Sequence, residues 1–110
     1  MIEATIINNL LLDEEYCRKV IPFVKPEYFT SVGNRVLFDI INDYIDQYDA
    51  LPTAAALNIE CDKKKDISAD TFKEVTDFIT NLNADEQDFD WIVDTTEKWC
   101  QERAIYLALM

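Results

Sequence analysis

The chain has 110 residues, with 22 acidic and 10 basic side chains, a formal net charge of −12 and no histidine. That length sets a single domain over residues 1–110, near the size at which one core buries roughly 65% of the unfolded surface, and 49% apolar content supplies such a core. Without histidine there is no Ser-His-Asp or Cys-His machinery and no His-containing zinc or di-iron site, and a single glycine leaves no phosphate-cradling loop or dinucleotide turn.

One glycine and three prolines are also too few for a turn-rich β fold, so the expected fold is all-α, a compact bundle of about five to six helices. Ile2, Ile6, Ile7, Leu10 and Leu11 recur at helical spacing and predict a first helix from Ile2 to Leu12. Asp13 can cap the next helix, with Glu14 and Glu15 in the first turn, where the helix dipole favours negative charge. That short helix carries Tyr16 and Val20 on one face and ends around Pro22. Pro26 starts a tight single turn that presents Tyr28 and Phe29 inward.

The third helix, from about Ser31 to Tyr48, has the strongest pattern. Val36, Leu37, Ile40, Ile41, Tyr44, Ile45 and Tyr48 fill more than half the wheel, and Arg35, Asp39, Asn42, Asp43 and Asp46 share the rest. A stripe that wide marks the central element of the bundle. Leu51-Pro52-Thr53 forces an extended step, and Thr53 can cap a helix running through Leu57 and beyond. Cys61 to Ile67, with Lys63-Lys64-Lys65, is a polar loop. Ser68 or Asp70 opens a helix bearing Phe72, Val75, Phe78, Ile79 and Leu82 at spacings of three and four. Asn83 to Asp88 forms a second loop, with Asp85 as a cap, and the last helix runs from about Asp88 to the end. The structural core expected from this pattern includes Phe29, Val36, Ile40, Tyr44, Phe78 and Trp99.

On the last helix, Phe89, Ile92, Thr96, Trp99, Arg103 and Leu107 align as the inward face, while Trp91, Ile105 and Leu109 project from the other side. Apolar residues grouped on an outward face mark a surface completed by something else, either more of the same chain or a neighbouring subunit. Ala104 to Met110 is apolar throughout, without a cap or polar tail, which points to a domain taken from a longer protein, whereas Met1 reads as a natural start.

Cys17, Cys61 and Cys100 are odd in number and widely spaced, as expected of reduced thiols in a cytoplasmic protein. The N-terminus lacks a basic region and a cleavage site, so it is not expected to be a signal peptide, and no apolar run approaches the ~18–20 residues that span a bilayer. Asp13-Glu14-Glu15 and the group Asp85, Glu86, Asp88 and Asp90 lack a calcium-loop pattern and read as capping and solvated loop charge. Lys63-Lys64-Lys65 reads as a hydrophilic loop. No catalytic, metal-binding or cofactor-binding residue is expected here. The acidic excess, present in both halves, disfavours direct nucleic-acid binding, which draws its affinity from Lys and Arg. It suits a protein partner with a basic face.

The order of these elements resembles the N-terminal domain of DnaB-like replicative DNA helicases, in the version found in T-even-like bacteriophages. The likeness is carried by the Ile-rich opening helix and the Lys25-Pro26-Glu27-Tyr28-Phe29 turn. It continues through the central helix with Val36, Phe38 and Ile41, the Leu51-Pro52-Thr53 step to Leu57, and the closing stretch around Gln101-Glu102-Arg103-Ala104. The cellular family often has Asp where Thr53 stands and His where Asn34 stands, and the phage-type version fits these departures better. The resemblance implies a ring-forming, ATP-driven helicase whose motor domain, with its ATP and Mg, follows residue 110. The N-terminal domains of that family form a collar, pair through a helical hairpin whose first arm would be the last helix here, and receive primase and, in some systems, the helicase loader. It therefore implies self-association in a hexameric ring, with Trp91, Ile105 and Leu109 on the subunit-contact side, in the host-cell cytoplasm if phage-encoded. Two other readings stay open: a free-standing acidic DNA mimic, and an unrelated helical adaptor.

Overall fold

Helix ends in this chain are written by side chains that close their own first turns. The computed structural model describes residues 2–83, 85 and 87–110; Met1, read as a natural start, and Glu86, in the second acidic group, lie outside them. Among the described residues there are six helices and no strand: α1 (Ile2–Leu12), α2 (Glu14–Val20), α3 (Val32–Tyr48), α4 (Ala54–Asp62), α5 (Ala69–Thr80) and α6 (Phe89–Leu109). Single 3-10 turns at Ile21–Phe23 and Pro26–Tyr28 join α2 to α3. The all-α bundle expected from composition is the fold observed.

Five of the helices start on the same device. Side-chain oxygens of Asp13, Ser31, Thr53, Ser68 and Asp88 accept the backbone N–H of Tyr16, Asn34, Ala56, Thr71 and Trp91, each satisfying a donor that a helix start would leave unpaired. The sequence pattern places the α6 cap at Asp85; the cap is Asp88, three residues before the N–H it receives, which is the reach the geometry requires. Helix α3 ends on Asp49, whose φ of 53° is left-handed. That conformation disfavours a side chain, and Arg18 offsets it by bonding both the Asp49 carboxylate and its carbonyl at 2.9 Å.

Helix α3 is the hub: α1, α4, α5 and the Pro26–Tyr28 turn all pack on it, and α6 is carried by α2 and that same turn. Leu37, Phe38, Ile40 and Ile41 are buried at its centre, with Ile6, Ile7 and Leu10 from α1, Leu57 and Cys61 from α4, and Val75 and Ile79 from α5. Of the residues named for the core, Phe29, Ile40 and Trp99 are buried, and Val36 and Phe78 are partly buried against the cluster. Tyr44 is a correction. It lies outside the cluster, only partly buried, with its ring 4.8 Å from that of Tyr48. Cys61 is a second correction: it belongs to the last turn of α4, fully buried, so the loop begins only at Lys63.

A buried polar chain links α2 to α6. The Thr96 hydroxyl donates to the Ile92 carbonyl at 2.7 Å, so the Tyr16 hydroxyl, 2.6 Å away, must donate to Thr96. Both residues are fully buried, and a buried donor stripped of its acceptor costs about 1–3 kcal/mol. Thr96→Val should therefore destabilise more than Tyr16→Phe, and the double variant should cost less than the sum of the two. Urea unfolding of the three variants measures this, and additive losses would contradict the coupling.

Candidate interaction surface

Helix α6 is held at three successive heights. Thr96 meets Tyr16. Trp99 then stands edge-on to Tyr28, centroids 6.2 Å apart, and tilts against Phe29 at 5.0 Å. One turn further, Arg103 Nε donates to the Tyr28 carbonyl at 2.6 Å, and its guanidinium lies 4.9 Å over the Tyr106 ring. Past Arg103 only Leu107 packs on the core. Ile105 is 62% exposed, Leu109 82% and Met110 84%, so the last turns of α6 leave the body as an apolar rod.

The three residues singled out on the outer face are all exposed, but they do not form one patch. Ile105 and Leu109 sit one turn apart on one side of the rod. Trp91, half-exposed, precedes Ile105 by fourteen positions, or about 21 Å of helix. The exposed Lys98 and Glu102 lie between them. The sequence wheel superimposes residues that the helix rise separates.

The chemically active groups are turned inward and held neutral. Burial pushes the Cys17 thiol up to about 11 and Cys100 up to about 12, and raises Cys61 as well; burial likewise lifts the Tyr16 phenol. Thiols held protonated are poor nucleophiles and poor metal ligands, and no group of three or more Cys, Asp or Glu among the described residues is placed to hold a metal ion. The acidic clusters divide between capping and pairing, Asp13 and Asp88 on helix starts and Glu14 with Arg18. Lys63 pairs with Glu60, and Lys64 opposes the burial that raises the Asp39 carboxyl. No helix among the described residues is long and apolar enough to cross a membrane.

The thiols make an alkaline limit to stability. Unfolded, they ionise near their ordinary 9.0, whereas the fold keeps Cys17 and Cys100 protonated to about 11 and about 12. The unfolded chain then binds fewer protons, so stability falls as pH rises above about 9. Urea midpoints should be flat from pH 7 to 8 and drop between pH 9 and 11, with the drop reduced in Cys100→Ala.

A second feature carries no sequence signature beyond a lone glycine among asparagines. A cleft of about 540 Å³ opens between α1, α3 and α5, lined by Asn8, Asn34, Asn81 and Glu74. At its edge Gly33, inside α3, lets Glu74 cross over it to accept the Ser31 hydroxyl at 2.7 Å. A Cβ at Gly33 would lie 2.8 Å from the Glu74 carboxyl, a flexible group that can swing away. Gly33→Ala should thus be nearly neutral, the helix-propensity gain of about 1 kcal/mol offsetting the displaced Glu74. In a Glu74→Ala background the same change should stabilise, as thermal melts would show.

Fold and surface define a small acidic helical domain that keeps its reactive groups buried and presents an apolar helix end. No family model matches the chain. It is 30% identical over 103 residues to a DnaB-like replicative helicase of Enterobacteria phage T4, a match that takes in 94% of this chain and 22% of the relative. The chain spans about a fifth of the length of that relative.

Proposed function

We propose that this chain is the N-terminal assembly domain of a ring-shaped replicative DNA helicase, with ATP hydrolysis left to a motor domain elsewhere in the longer protein. The observation that carries the reading is the similarity to the phage helicase along nearly the whole of this chain and only about a fifth of the relative. That similarity also favours it over a free-standing acidic mimic of DNA. The structure supports it through α6, whose Ile105 and Leu109 form an apolar surface with no cover from this chain. In a ring, that rod would pair with its counterpart on a neighbouring subunit. An α-helical pairing of this kind is driven by apolar side chains at spacings of three and four.

The same reading assigns partners by charge. A surface at −12 attracts basic faces and repels phosphate, so primase, and in some systems a helicase loader, would dock on the domain while DNA is held mainly by the motor domains. Replacing Ile105 and Leu109 with Asp in the full-length protein should abolish the hexamer in native mass spectrometry and leave the helical content of this domain unchanged by circular dichroism. A ring that persists in that variant contradicts the assignment. Trp91→Ala, being about 21 Å from the patch, should leave the ring intact.

A further inference from the structure

Beside the root of the α6 rod lies a groove of about 600 Å³, its lining including Glu27, Phe29, Arg35, Arg103, Tyr106 and Leu107. Its two arginines are unlike the other paired cations of the chain. Arg18, Lys63 and Lys73 each reach a carboxylate at 2.8–3.1 Å. Neither Arg35 nor Arg103 does so among the described residues, although acidic side chains outnumber basic ones 22 to 10. Both are instead gripped by backbone. Arg103 Nε donates to the Tyr28 carbonyl at 2.6 Å, and Arg35 donates from Nε to Phe29 at 3.0 Å and from Nη2 to Thr30 at 3.1 Å.

Three successive carbonyls therefore anchor two guanidinium groups side by side. A guanidinium has five N–H donors in a rigid fork, and these contacts use one on Arg103 and two on Arg35. The remaining donors belong to cations already fixed in place, so little side-chain entropy is lost when a ligand takes them. The apolar wall of Phe29, Tyr106 and Leu107 adds a surface for a hydrocarbon group beside the charge.

We propose that this groove docks a segment of a partner protein that presents a carboxylate next to an apolar side chain. Charge complementarity selects the carboxylate, since a planar guanidinium accepts it through two parallel hydrogen bonds. Scale selects against nucleic acid. Two cations with Glu27 beside them cannot match a polyanion, whose affinity grows with each phosphate neutralised, and the rest of the surface repels it. The groove is thus a positively charged exception on an acidic domain, suited to a different partner from the basic ones that the bulk charge attracts. It does not depend on ring assembly.

The test uses the 110-residue chain and a short peptide of alternating Glu and Leu, followed by NMR of the arginine Nε–H signals. The Arg35 and Arg103 signals should shift on titration while Arg18 stays still. A Gln-for-Glu peptide should bind about tenfold more weakly, as should the R35Q variant against the original peptide. R35K keeps the charge but loses the fork, and should fall between R35Q and the parent chain; circular dichroism of R35Q and R35K should match the parent, showing that the loss is one of binding. The proposal fails if the Arg35 and Arg103 signals do not move. It also fails if inorganic phosphate or oligothymidylate moves them as strongly as the peptide at the same concentration.

Discussion

The Pro26–Phe29 turn is the wedge on which this molecule is assembled. It drives Phe29 between Phe38 of α3, at 5.5 Å, and Trp99 of α6, at 5.0 Å, and so joins the hub to a helix that otherwise rests on α2. Pro26 fixes φ at the start of the turn, which limits the directions its side chains can take. The aromatic rings then provide large buried area with defined mutual angles. The backbone carbonyls of the turn, which cannot join a helix ladder, are taken by Arg35 and Arg103. One short segment thereby orients α6, closes the core and fixes the Arg35 and Arg103 guanidinium groups.

That arrangement explains why the domain reads as a handle rather than a reactor. Its thiols and the Tyr16 phenol are spent inside the core, protonated by desolvation. Its outer carboxylates cap helices, pair with cations or hydroxyls, or stand solvated. What remains available is shape and field: an apolar helix end, a strongly negative surface, and a groove lined by two arginines. Even the Glu3 carboxylate on α1 serves architecture. Burial raises it, but hydrogen bonds from Thr30 and Asn34 outweigh burial and hold it below the usual range, pinning α1 to the entrance of α3.

Features decided within a few residues were legible in the sequence. The helix of Ile2–Leu12 and the Asp13, Thr53 and Ser68 caps follow from local periodicity and from the reach of a side-chain oxygen to its own first turn. Features decided by distant chain were not. Tyr44 sits on the apolar stripe of α3, yet it lies outside the core cluster, with its ring against Tyr48. Cys61 looked like the start of a polar loop because Lys63-Lys64-Lys65 follows it, but its neighbour in space is the core. The Tyr16–Thr96 bond joins positions 80 residues apart, and nothing in either local pattern announces it. The groove was hidden for the same reason: Arg35 and Arg103 lie on different helices, and only the turn between them brings their forks together.

The two proposed surfaces of α6 do not compete, and the helix itself enforces this. Successive residues turn by about 100°, so Ile105 lies about 200° from Arg103, and Leu109 about 200° from Leu107. The side of the rod that faces the groove is fixed by Trp99 and Arg103, which are locked to the turn. The apolar patch is therefore obliged to face away from the body. A helix packed along Ile105 and Leu109 would leave the groove open, while Tyr106, on the shoulder between the two, would contact both occupants.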